Sequence, residues 1–177
     1  MRRRNIALIG FRATGKSTVG KILARDLGMM FTDTDRRLAT EAGLDIAAWV
    51  KRDGWDAFRK AESRLLELLS SCKGLVVATG GGIVLDERNR ELLRHGFFTV
   101  WLKAAPETIY ARLSSDPRSD RTRPPLSSLP MREEICKVLV ERNPFYAQVA
   151  IAGIDTEAKK PILVAREIET LLLSFQF

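Results

Sequence analysis

The segment Gly10-Phe-Arg-Ala-Thr-Gly15-Lys16-Ser17 has the spacing G-x-x-x-x-G-K-[ST]. Its two glycines allow backbone conformations closed to other residues, so that loop N–H groups converge on phosphate oxygens where the next helix begins. In the loop at 10–18, Ala13, Thr14, Gly15 and Thr18 are therefore expected around the phosphates of a nucleotide. Lys16 is expected on the β- and γ-phosphates and the Ser17 hydroxyl on Mg²⁺. The motif follows a short apolar run at 6–9 and opens a segment of helical period, which is the context it requires. Nucleoside triphosphate binding is the resulting expectation.

Further chemistry lies downstream. Asp33-Thr-Asp35 follows an apolar pair, Met30 and Phe31, and alternation along an extended segment would point both carboxylates to one side. Like charges that close call for compensation, and Mg²⁺ beside one of them would supply it. An N-cap for a helix starting near Arg36 is the competing reading of the same aspartates. Arg59 and Glu62, three residues apart, share a helix face and can pair. Gly80-Gly81-Gly82 directly follows an apolar run at 75–78, at the carboxyl edge where open α/β sheets bind ligands. These glycines either let a ligand approach the backbone or form a plain turn.

The elements that must hold these residues can be read from periodicity. Strands are expected at 6–9, 30–31, 75–78, 98–102 and about 149–154. Helices are expected at 16–27 with Gly28 as the stop, through 52 in polar segments, and over about 56–71 on the stripe Phe58, Ala61, Leu65, Leu68, Leu69 and Cys72. More follow at 87–94, from Pro106 to about 113, at 131–146 and at 161–173. Residues 116–130 carry Pro117, Pro124, Pro125 and Pro130 among arginines and serines, so they read as a long loop of functional character. Alternating strands and helices imply a parallel sheet covered on both faces, in a single domain over 1–177.

Composition narrows the classes further. Hydrophobic residues at 45% and charged residues at 29% exclude a disordered chain. Cys72 and Cys136 stand far apart and His95 is the single histidine, so neither zinc spacing nor a disulfide framework is present. No apolar run is long enough to span a membrane and no cleavage site follows the basic start, which makes the cytoplasm the expected compartment. The net charge of +7 is scattered, favouring cleft arginines for small anions over a nucleic-acid stripe. The strands at 75–78 and 98–102 end in Thr79 and Lys103, not aspartate, and no Asn-Lys-x-Asp segment occurs. Motor ATPases and GTPase switches therefore fit badly. Arg2, Arg3 and Arg4 read as a solvated terminus, His95 as structural, Cys72 as core, and Trp49, Trp55 and Trp101 as packing anchors.

The ordered set of Gly10 to Thr18, Phe31-Thr-Asp-Thr-Asp35, Phe58-Arg59 with Glu62, Ala78-Thr-Gly-Gly-Gly-Ile83, Arg123-Pro124, and Glu141-Arg142 with Tyr146 resembles the shikimate kinases, most closely the second bacterial form. The resemblance spans nearly the whole chain. It implies a three-layer α/β/α phosphate-loop kinase with a five-stranded parallel sheet and a mobile lid at about 114–128. It implies a substrate-binding helical region at about 34–62, ATP and Mg²⁺ as requirements, and a monomer acting on shikimate. The implied reaction is phosphorylation of the 3-hydroxyl of shikimate, on the route to chorismate. By the same resemblance Asp33 with Ser17 would hold Mg²⁺, and Asp35 would bind the attacking hydroxyl and can take its proton. Arg59 and Arg142 would grip the substrate carboxylate, the amides of Gly80, Gly81 and Gly82 would meet substrate oxygens, and Arg123 would close on the phosphates with Lys16 below.

Two departures stand out. The lid reads Arg121-Thr-Arg123-Pro124-Pro125-Leu126, with Arg121 a second candidate for the lid arginine. The loop Asp155-Thr-Glu-Ala-Lys-Lys160-Pro161 lacks an arginine that some members carry, which leaves adenine contacts to Arg112 and this loop. A related small-molecule kinase for gluconate or a nucleoside monophosphate would share the phosphate loop but not both arginines with the triple glycine. A non-catalytic ligand sensor would be expected to carry an attached DNA-binding segment, for which this length leaves no room, and to have lost Asp33 or Asp35.

Overall fold

A computed structural model describes residues 4–116, 127 and 129–175. Most of the expected lid, with Arg121 and Arg123, lies outside the described residues, as do Arg2 and Arg3. Five parallel strands, β1 (Asn5–Ile9), β2 (Met30–Asp33), β3 (Leu75–Ala78), β4 (Phe97–Lys103) and β5 (Ala152–Asp155), form one sheet in the order β2-β3-β1-β4-β5. Between and after them run α1 (Lys16–Leu27), α2 (Thr34–Ala42), α3 (Ile46–Ser70), α4 (Glu87–Gly96), α5 (Pro106–Ser114), α6 (Met131–Val149) and α7 (Pro161–Ser174).

The strands are apolar on both faces because helices cover both. Along β1, Ala7 and Ile9 join Leu66, Leu69, Leu93 and Val149 in one core, whereas Ile6 and Leu8 join Val19, Leu23, Val164 and Ile168 in the other. The period of two along one strand thus feeds two helix layers. A third cluster packs Phe11, in the loop after β1, against Ile109, Leu113, Ile135 and Val138 of α5 and α6. Gly28 ends α1 at φ 62 and donates back to Ala24 and Arg25, as a C-terminal glycine stop should.

Gly54 at φ 82 breaks Ile46–Ser70 into two helical stretches, in keeping with the polar segment expected through 52 and the helix expected from about 56, and the Asp45 side chain caps the first by accepting from Ala48 N at 2.7 Å. Two expectations need correction. The strand expected from about 149 starts at Ala152, because Val149 is still helical and buried, and pairing with β4 begins only when Ile151 N donates to Thr99 O at 2.8 Å. Cys72 is exposed: α3 ends at Ser70, so the helical stripe no longer predicts which way later residues face. His95 is exposed beside Glu91 near the end of α4.

Candidate active site

The phosphate loop joins the end of the central strand to the start of α1. Gly10 (φ 134) and Gly15 (φ 93) have positive φ, and so does Ala13 (φ 62). A Cβ on Gly10 would also overlap the carbonyl of Leu102, so strand β4 approaches too closely for any other residue. The Thr14 hydroxyl donates to Phe11 O at 2.8 Å, tightening the turn. Lys16 is nearly buried and its ammonium lies over the loop, donating to Gly10 O (2.8 Å) and Phe11 O (2.7 Å). An ammonium there stands beside the amides that the motif aims at phosphate oxygens.

Ser17 and Asp33 meet at the edge of this loop, the Ser17 hydroxyl donating to Asp33 Oδ2 at 2.5 Å. The other oxygen, Oδ1, accepts from Arg36 N at 3.1 Å and caps α2. Cap and ligand readings of Asp33 are therefore compatible, one per oxygen. Two hard oxygens beside a phosphate loop fit Mg²⁺, which keeps several waters and shares substrate phosphates and so needs no cage of three side chains. Among the described residues no cluster of three His, Cys, Asp or Glu occurs.

Asp35 is not paired with Asp33 by strand alternation. The strand ends at Asp33, and Asp35 lies in the first turn of α2. It faces a cleft lined also by Arg12, Arg59, Glu62, Gly81 and Arg142.

Gly80, Gly81 and Gly82 have no positive φ, and the demand at Gly80 and Gly82 is steric. A Cβ on Gly80 would overlap the carboxylates of Glu62 and Asp35, and one on Gly82 would overlap the Arg59 guanidinium. These two glycines make room for the protein's own charged groups. Gly80 N donates to Thr34 Oγ1 at 3.0 Å, which locks the glycine turn to the start of α2.

Arg59 is held by Glu62 on the next turn of α3, at 2.5 Å, and its guanidinium lies 4.9 Å from the Trp55 ring. The expected local pair is thus present. Glu62 is fully buried, and burial pushes its carboxyl up to about 7, with Arg59 opposing and Asp35 adding to the rise. Arg142, on α6, is nearly buried, and burial pulls its guanidinium below its ordinary value while Tyr146 opposes that fall. Its Nε has no hydrogen-bond partner among the described residues. Tyr146 is buried, pushed up to about 12 by that burial, and donates to Gly81 O. Two buried or half-buried arginines close enough to repel each other would be satisfied together by a carboxylate, whose two oxygens suit guanidinium forks.

Arg112 stands at the far side of the loop. It donates to Ala13 O at 3.1 Å and to Thr156 Oγ1 and O at 3.1 and 2.9 Å, joining the phosphate loop to the loop after β5. Sequence reasoning did not single out Phe11, Arg12, Thr34 or Glu134, and read Trp55 as packing alone. Phe11 and Arg12 occupy unspecified positions of the motif, so its spacing carries no signal for them.

The Shikimate kinase family model matches residues 12–172. A shikimate kinase of Nitratidesulfovibrio vulgaris is 44% identical over 170 residues, spanning 96% of this chain and 95% of that one. A "Shikimate kinase 2" of Yersinia enterocolitica is 41% identical over 150 residues, with 85% of each chain covered. The structure of the Acinetobacter baumannii shikimate kinase in complex with shikimate superposes with a TM-score of 0.92 at 33% identity, over 99% of this chain and 96% of that one. A phosphate loop facing two arginines and a carboxylate across one cleft, in a chain matched from end to end at this identity, leads to one conclusion: the chain belongs to the shikimate kinase family.

Proposed function

We propose that this chain transfers the γ-phosphoryl group of ATP to the 3-hydroxyl of shikimate, giving shikimate 3-phosphate and ADP. The observation that carries the reading is the sharing of one cleft by Asp35, Arg59 and Arg142, directly beside the phosphate loop. Arg59 and Arg142 grip the carboxylate and fix the ring. Asp35 then accepts a hydrogen bond from the 3-hydroxyl and takes its proton as the oxygen attacks. The new bond forms between that oxygen and the γ-phosphorus, the bond to the bridging oxygen of ADP breaks, and ADP leaves with the electron pair. Charge on the transferring group is met by Lys16 and the loop amides, and by Arg123 as the resemblance assigns it. Ser17 and Asp33 would hold Mg²⁺, which neutralises phosphate charge when bound. Gly81 and Gly82 are the glycine amides assigned to substrate oxygens, and Arg112 with the loop after β5 is assigned to adenine. We place the enzyme in the cytoplasm as a one-domain monomer; no helix of the described residues is long and apolar enough to cross a membrane.

A coupled ADP-release assay with ATP, Mg²⁺ and a panel of hydroxy acids that includes shikimate, gluconate and quinate tests this. Turnover is expected with shikimate. A folded protein that binds ATP yet leaves shikimate untouched would overturn it.

A further inference from the structure

We infer that Arg12 is a further phosphate-contacting residue of the transfer step and that Glu134 is the residue that positions it. The inference rests on the kinase reading above. Arg12 belongs to the phosphate loop by sequence but lines the acceptor cleft with Asp35, Arg59 and Arg142. Its backbone abuts the glycine wall: a Cβ on Gly81 would lie 3.6 Å from the Arg12 amide nitrogen. Its guanidinium lies 5.6 Å from the Phe11 ring and pairs with Glu134 Oε1. The group therefore stands at the junction of the two half-sites, where a phosphoryl group must pass from one to the other.

Glu134 is built to hold that position. Its side chain is 3% exposed, it lies in the first turn of α6, and its Oε2 accepts from the backbone N–H of Ser127 at 2.8 Å and the hydroxyl at 3.3 Å. Both carboxylate oxygens are thereby engaged, and the carboxylate cannot swing away from Arg12. A brace between loop and helix would not require this pair, because Phe11 already anchors the loop against Ile135 and Val138 of the same helix. Burying an ion pair costs desolvation that packed apolar groups avoid, so a brace alone explains it poorly. When the 3-oxygen bonds to phosphorus, its proton passes to Asp35 and ADP departs with the bridging electron pair, the three equatorial oxygens stay anionic. Lys16 meets them from the loop, and Arg12 meets them from the acceptor side.

A residue that touches the transferred group contacts shikimate 3-phosphate and not shikimate, which separates this role from a structural one. In Arg12→Met of the full chain, kcat is expected to fall about 100-fold. Shikimate affinity, read from tryptophan fluorescence, should stay within about twofold while that for shikimate 3-phosphate weakens about tenfold or more. Glu134→Gln should shift the same ratio in the same sense but less, and should add nothing in the Arg12→Met background. Arg12→Lys should recover part of both losses, and carries the same comparison of the two ligands if the methionine variant does not fold. Equal weakening of both ligands, no weakening of either, or a Glu134→Gln loss that persists without Arg12 would overturn the assignment. Failure of the wild type to phosphorylate shikimate would remove the kinase reading and this inference together, whereas normal wild-type turnover with unchanged variants removes this inference alone.

Discussion

From Gly10 to Ser17 the phosphate loop is consecutive in the chain, and its shape follows from backbone conformation: positive φ at Gly10, Ala13 and Gly15, and a Thr14 hydroxyl closing the turn. The acceptor wall opposite draws Asp35 from α2, Arg59 and Glu62 from α3, the glycines from the end of β3, and Arg142 from α6. One half is a local motif whose Lys16 ammonium lies over the loop's own carbonyls; the other is an assembly of charges held apart by burial and by one another. A local motif tolerates change elsewhere in the fold. An assembled wall depends on every element that contributes, and on glycines that merely leave space.

That contrast is sharpest at Asp35. Asp35→Asn should lower kcat by 10²- to 10⁴-fold with ATP binding retained, because it removes proton acceptance without touching the loop. Stopped-flow or coupled turnover alongside nucleotide binding checks this, and a matching loss of ATP affinity would erase the separation between the halves. Arg142→Lys should raise the shikimate KM about 10- to 100-fold with a smaller change in the ATP KM, since one donor fork is replaced by a point charge. Initial-rate kinetics with each substrate varied would show whether the carboxylate grip lies there.

The buried carboxylate makes the wall sensitive to pH. Glu62 is faced by Arg59 on its own helix, Asp35 on α2, and Arg142 and Tyr146 on α6. Its folded value of about 7 lies above the ordinary 4.5, so the folded state binds the proton more tightly. Stability from this group is thus fully present below about 4.5, falls as pH rises through about 7, and is level above that. Urea unfolding from pH 5 to 8 should show that decline, at most about 1.4 kcal/mol per pH unit, and Glu62→Gln should flatten it. A steeper decline in the variant would break the assignment. Smallest of all, Gly82→Ala should weaken shikimate binding several-fold by displacing the Arg59 guanidinium, with ATP affinity unchanged. Equal losses for both ligands would mean that the glycine serves the loop as well.

Comparison of expectation with structure follows the same division. The loop, the parallel five-stranded sheet and the lengths of α1 and β3 follow closely from spacing and periodicity, because neighbours in sequence are there neighbours in space. Where a boundary depends on a tertiary contact it shifts: β5 waits for Thr99 of β4, and Cys72 falls outside the stripe because α3 stops short of it. Asp33 and Asp35 were paired by strand alternation, yet the strand ends between them, and they enter the cleft region on different elements.

Sequence alone determined the phosphate loop and the alternating α/β pattern. Those follow from local rules: glycine freedom and helix periodicity. Tertiary structure decided that Gly80 and Gly82 are spaces for Asp35, Glu62 and Arg59, that Gly80 spends its amide on Thr34, and that Arg12 faces the acceptor cleft under the hold of Glu134. Each depends on groups brought together from distant segments, where burial and charge act through space and sequence separation carries no information about distance.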